Sequence, residues 1–177
     1  NQYYENIPEI VEDYLVKIKD ITGREYHLFS YYGAEDAENI IILMGSATEA
    51  AREAIDYQMK QGKKIGMISV HLYRPFSVKH LLAAVPKTVK RIAVLDRTKE
   101  PGAEGEPLYL DVKSAFYDVE NKPLIVGGRY GLGSSDTTPA HIISVFNNLE
   151  LAEPKNHFTV GIVDDVTFTS LPLIDEI

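Results

Sequence analysis

Short apolar runs alternate with helix-spaced patterns along most of the chain. From residue 38 onward, residues 39–44, 64–72, 91–95 and 123–126 read as strands that are apolar on successive positions rather than on every second one. That is the signature of strands buried on both faces, as in a parallel sheet. Each is followed by a helix-spaced stretch, at 47–61, 77–85, 106–119 and 138–149. Leu108, Val112, Ala115, Phe116 and Val119 form one such stripe. A fifth strand is expected at 157–162, with a β-like tail through Val166 and Phe168. Strands alternating with helices call for right-handed crossovers, so the class is α/β: an open, mainly parallel five-stranded sheet with helices on both faces.

Before this unit, Ile7, Ile10, Val11, Tyr14, Ile18 and Ile21 recur at helical spacing over 6–22, with Pro8 in the first turn and Gly23 at the C-cap. Residues 20–36 mix aromatic and turn residues without a sustained period and read as a connecting arm. The expected division is therefore a lead-in helix and arm at 1–36, an α/β domain at 37–162, and a tail at 163–177 that leads to a further domain.

Composition narrows the chemistry. The 177 residues carry 18 Lys plus Arg against 26 Asp plus Glu, a formal charge of −8, which disfavours general nucleic-acid binding. There is no cysteine, so disulfides, thiolate metal sites, iron–sulfur ligation and Cys nucleophiles are excluded within the chain. The longest apolar runs fall far short of the roughly 20 residues that a membrane span needs. No Asn-x-Ser/Thr sequon occurs, which with the absent cysteine favours a reducing, cytoplasmic setting. The opening Asn1-Gln2-Tyr3-Tyr4-Glu5 lacks Met and any signal-peptide pattern, and reads as the interior of a longer polypeptide.

In an open α/β sheet, ligands meet the loops that leave the carboxyl ends of the strands. Four such loops are expected. Gly45-Ser46-Ala47-Thr48-Glu49 has capping-box spacing from Ser46 to Glu49, or alternatively offers helix N–H groups to an anion. Tyr73-Arg74-Pro75-Phe76-Ser77 ends the second strand, with Ser77 as helix cap. Residues 96–107 form a long loop carrying Arg97, Lys99 and Glu100, and Gly127-Gly128-Arg129-Tyr130-Gly131-Leu132-Gly133-Ser134-Ser135-Asp136 leads to Thr138-Pro139 as cap and first helical residue. Arg74, Arg97 and Arg129 should therefore share one sheet edge, either in ion pairs, with Asp96, Glu100 and Glu104 as acidic partners in the same region, or around a small anion. Ser46, Thr48, Lys99, Glu100 and Tyr130 join them as candidate contacts. The G-x-x-G-x-G order of Gly128, Gly131 and Gly133 is not a dinucleotide fingerprint. The five histidines have no metal-ligand spacing, and Glu49/Glu53 and Asp164/Asp165 read as solvated charges.

Several strings resemble the pyruvate:ferredoxin (flavodoxin) oxidoreductases: Gly-Arg-Glu-Tyr-His at 23–27, Leu-Tyr-Arg-Pro-Phe at 72–76 and Val-Leu-Asp-Arg-Thr-Lys-Glu-Pro-Gly-Ala at 94–103. Gly-Glu-Pro-Leu-Tyr-Leu-Asp-Val at 105–112, Gly-Gly-Arg-Tyr-Gly-Leu at 127–132 and Pro-Lys-Asn-His-Phe-Thr-Val-Gly-Ile at 154–162 extend the resemblance. Departures stand at Ser135-Asp136-Thr137 and Phe168. The resemblance implies the transketolase C-terminal-like domain, domain II, of a far longer enzyme. Such enzymes decarboxylate pyruvate on thiamine diphosphate with Mg, pass electrons through 4Fe–4S clusters to ferredoxin or flavodoxin, and form acetyl-CoA, as homodimers. It implies no catalytic, cofactor or metal residue in this stretch, and a structural and docking role for its loops. The alternatives are a module binding an anion or CoA phosphate at the Arg-lined edge, and a piece of another 2-oxoacid oxidoreductase.

Overall fold

The computed structural model of the chain describes residues 2–163 and 166–174. Its elements run α1 (Gln2–Thr22), β1 (Phe29–Gly33), β2 (Asn39–Leu43), α2 (Ala47–Met59), β3 (Ile65–Val70) and α3 (Val78–Ala84). They continue with β4 (Arg91–Asp96), α4 (Pro107–Ala115), β5 (Leu124–Arg129), α5 (Pro139–Glu150) and β6 (Phe158–Thr159). The strands lie in the order β1-β3-β2-β4-β5-β6, parallel throughout except for β1, which is antiparallel to β3.

The unbroken apolar runs have a direct consequence in the packing. Because successive side chains of a strand point to opposite faces, Ile41 and Leu43 of β2 join α2 and α5 in one core, while Ile40 and Ile42 join α3 and α4 in the other. All four are fully buried. Ala47, Ala51, Ala54 and Ile55 supply the inner stripe of α2, and Leu108, Tyr109, Val112 and Ala115 that of α4.

The sheet has one strand more than the sequence pattern indicates. Phe29–Gly33, read as connecting arm, pairs along its whole length with β3, from Phe29 opposite Val70 to Gly33 opposite Gly66. Its short alternation becomes a strand only through a partner more than thirty residues away. The close Gly33–Gly66 pair allows it: Gly33 has φ +140°, and a side chain on Gly66 would collide with the Tyr31 ring.

Other boundaries shift for local reasons. The first helix begins at Gln2, so Pro8 lies inside it rather than in its first turn, and Gly23, at φ +71°, closes it through an N–H bond to Lys19 O at 2.7 Å. Ser46 adopts helical angles and makes no side-chain cap bond, so the Ser46–Glu49 capping box does not form. Ser77 makes no cap bond either, because its hydroxyl meets His80 Nδ1 at 2.6 Å. Thr138 does cap α5, with His141 returning the bond to the Thr138 N–H.

Gly127, Gly128 and Arg129 belong to β5 rather than to the loop after it. The two glycines are spaces for rings: a Cβ on Gly127 would lie 2.9 Å from Tyr109, and one on Gly128 would overlap Phe158. The last strand is limited to two residues, and the tail meets it at a single bridge between Thr159 and Ser170. Val166 lies in a turn and Phe168 has φ +55°, so neither is strand, while Asp164 and Asp165 fall outside the described residues. Gly128→Ala should therefore lower stability by about 1–3 kcal/mol through overpacking against Phe158. Urea denaturation of the chain checks this, and an unchanged midpoint contradicts the packing.

Candidate functional site

The chain turns back on itself between β2 and β4. The helix after β2 lies on one face and leads outward to β3, whereas the helix after β4 lies on the other face and leads outward to β5. Loops leaving the carboxyl ends of β2 and β4 diverge there, opening the crevice where sheets of this kind bind ligands.

Asp96 ends β4 and is buried. Its two oxygens accept the N–H groups of Leu108 at 3.0 Å and Tyr109 at 3.1 Å, so one carboxylate ties the long 96–107 loop shut and satisfies the first turn of α4. Burial pushes its carboxyl above the ordinary range. The two N–H bonds oppose that shift, and the negative charges of Glu106 and Asp111 add to it.

The three arginines take different positions. Arg74 pairs with Asp111 of α4 at 2.7 Å and lies 3.8 Å over the Tyr73 ring. The Tyr73 hydroxyl is pushed up to about 12, by burial first and Asp111 second. Arg129 is partly buried, with Nε 3.3 Å from Glu106 Oε1 and a second nitrogen donating to His157 O at 2.8 Å. Glu106 is buried beside it, and its other oxygen meets no hydrogen-bond donor among the described residues. Arg97 is exposed, with only a 3.4 Å bond from Nε to Gly131 O and no carboxylate at ion-pair distance among the described residues.

Arg97 opens onto the switch-point crevice. Together with Ser46, Tyr130, Ser135, Asp136 and Thr137 it borders a hollow of about 280 Å³. Tyr130 is its buried wall; its hydroxyl donates to Met44 O at 3.2 Å, and burial raises its pKa. Lys99 and Arg129 border a separate hollow of about 270 Å³ with Thr159, Thr167 and Thr169. Thr48 lies instead on a wider cleft of about 750 Å³ between the start of α2, the β1 edge and the α1 connection, where His27 and His71 also stand. Burial, then the nearby His27, lowers the His71 pKa. Glu100 is exposed on its loop.

Thus Ser46, Arg97 and Tyr130 come together, Lys99 joins Arg129, and Arg74, Thr48 and Glu100 stand apart. The arginines' partners are Glu106 and Asp111 rather than the expected Asp96, Glu100 and Glu104; Asp96 is taken by backbone N–H groups. Ser135-Asp136-Thr137, noted in the sequence only as loop residues that depart from the resemblance, forms a wall of the hollow. Among the described residues no group of three or more His, Asp or Glu side chains is placed to hold a metal ion, and no helix is long and apolar enough to cross a membrane.

Residues 37–142 match the family model described as pyruvate:ferredoxin oxidoreductase core domain II. The chain is 61% identical over 175 residues to the pyruvate-flavodoxin oxidoreductase of Enterobacter agglomerans, a match covering 99% of this chain and 15% of that protein. It is 51% identical over 177 residues to the pyruvate:ferredoxin oxidoreductase of Moorella thermoacetica, covering 100% of this chain and 15% of the relative. The chain thus spans about 15% of the length of these relatives. Among solved structures, a 2-oxoglutarate:ferredoxin oxidoreductase from Magnetococcus marinus, with 2-oxoglutarate, coenzyme A and succinyl-CoA bound, matches with a TM-score of 0.51 at 19% identity. That match covers 74% of this chain and 21% of the other, and bears on the fold alone.

The contrast among the arginines is measurable. Arg129→Ala leaves Glu106 buried without its cation and should cost about 3–5 kcal/mol. Arg97→Ala removes no carboxylate's partner and should change stability by no more than about 0.5 kcal/mol. Equal losses in urea denaturation would contradict the assignment.

Proposed function

The chain belongs to the pyruvate:ferredoxin oxidoreductase core domain II family, and from that premise we propose that it is a structural and docking domain within a longer oxidoreductase. The whole enzyme oxidatively decarboxylates pyruvate with CoA to acetyl-CoA and CO2, and passes the electrons to ferredoxin or flavodoxin. The observation that carries this reading is the conjunction of a doubly covered sheet with its own two cores and a match to only 15% of the relatives' length. A unit of this kind folds around its own core and offers its loops to neighbours.

The donor set agrees. A 4Fe–4S cluster needs thiolate ligands, and the sequence has no cysteine. The clusters are therefore assigned to other parts of the polypeptide, and on this reading thiamine diphosphate with Mg belongs there too. Residues 1–36 act as lead-in, with 29–33 lent to the sheet; 37–162 act as the domain, and 163–177 as the exit toward the next. The exposed Ser46, Arg74, Arg97, Lys99 and Glu100 of the carboxyl edge face the other domains of a cytoplasmic homodimer, with Arg129 and Tyr130 covered behind them and Thr48 on a separate cleft. The purified 177-residue chain, given pyruvate, CoA, thiamine diphosphate and Mg, should reduce no viologen dye. Turnover by it would refute the reading.

One observation favours a second reading: Arg97, without a carboxylate at ion-pair distance among the described residues, stands at the switch-point crevice with the hydroxyl side chains of Ser46, Tyr130, Ser135 and Thr137, and Asp136 on the same rim. That chemistry suits a phosphate group, including one of CoA. Calorimetry of the chain with CoA separates the two. Salt-sensitive heat that disappears in Arg97→Ala supports binding, and no heat in either protein leaves docking alone.

A further inference from the structure

We propose that the exposed flank of α1 is the seat of a second helix, supplied by the same polypeptide from outside these 177 residues, packed in heptad register and basic along one margin. This rests on the reading of the chain as part of a longer enzyme, and adds the surface, the shape and the charge of one neighbour.

The apolar arc of α1 is wider than its own domain covers. Pro8 is buried, and Val11 and Leu15 pack on the core that contains Leu28, Phe29 and Leu81. Polar ties set the rotation of the helix on the domain: Glu12 accepts the Leu28 N–H at 2.8 Å and meets His27 at 3.2 Å, and Glu9 pairs with Lys79 at 2.8 Å. Held in that rotation, α1 leaves Tyr3, Ile10, Tyr14 and Ile21 at 78%, 52%, 60% and 83% exposure.

Those four residues are separated by 7, 4 and 7 positions, which is the spacing of a heptad seam. Tyr3 and Ile10 occupy one seam position, which Lys17 continues with its amine 4.5 Å over the Tyr14 ring, and Tyr14 and Ile21 the other, where the partly covered Ile7 also falls. The seam runs for roughly 27 Å at 1.5 Å per residue. A line of that length and period, apolar except for Lys17, fits a helix crossing at about 20°.

Charge separates the possible occupants. One margin of the seam carries Asp13 and Asp20, neither of which forms an ion pair among the described residues. In an antiparallel pair of two copies the same margin meets itself, setting these aspartates against their equivalents. A helix with Lys or Arg on that margin has no such conflict. The source follows from the relatives: their matches run through α1, covering 99% and 100% of this chain, yet include only 15% of each relative. The domain model begins at residue 37, beyond α1.

The test uses the full-length gene product. Its intact mass comes first, because a mass of 19.8 kDa would end the reading as part of a longer enzyme. With a longer product, photo-reactive p-benzoylphenylalanine is placed at Tyr14, at Ile10 in a second variant, and at Val16, exposed but off the seam, as a control. Irradiation followed by peptide mapping should join positions 14 and 10 to one helical peptide of the same chain outside residues 1–177, with no such product from position 16. Asp13→Lys with Asp20→Lys should reduce that cross-link severalfold, and an unchanged yield overturns the basic margin. A covalent dimer, capture of a different protein, or no cross-link from either seam position overturns the helix seat while leaving the longer enzyme in place.

Discussion

The central strands are covered by helices on both sides, and the rest of the molecule follows from that enclosure. A strand buried on both faces cannot alternate polar and apolar residues, so Ile40, Ile41, Ile42 and Leu43 each enter a core, two on one side and two on the other. The backbone bonds of β2 are then met only by β3 and β4, and its connections must cross over as helices. One helix pair goes to each face, and the crevice opens where the winding reverses.

Near the far edge a different device takes over. The strand β5 carries Gly127 and Gly128 where β4 carries Val94 and Leu95, and the rings of Tyr109 and Phe158 lie in the space. Asn156 ties this corner together, accepting the Gly127 N–H at 2.7 Å and donating to the Tyr109 hydroxyl at 3.1 Å. Asp96 anchors the same first turn of α4 through the Leu108 and Tyr109 N–H groups. The long 96–107 loop is consequently held at both ends, which keeps Arg97 directed at the crevice while Glu106 is drawn inward to Arg129.

The electrostatics of the carboxyl edge are correspondingly uneven. Two arginines are spent on carboxylates of the same domain, one of them in a buried pair whose removal would leave a charge without water. The third stands at the rim with only a carbonyl oxygen. A surface assembled this way is stiff where it is internally paired and chemically open at Arg97.

Fold class and the order of strands and helices from β2 onward were legible in the sequence, because apolar runs and helix-spaced stripes report burial directly. Family membership was legible too, in strings such as Leu-Tyr-Arg-Pro-Phe and Gly-Gly-Arg-Tyr-Gly-Leu. Tertiary structure alone decided that Phe29–Gly33 is a strand, that Ser46 leaves its capping box unmade, and which arginine keeps a carboxylate. Each of these outcomes depends on a partner distant along the chain or on a backbone angle set by packing: Val70 for Phe29, Asp111 for Arg74, Glu106 for Arg129. Local pattern records how much of a residue is hidden from water, whereas the identity of what hides it exists only once the chain has closed on itself.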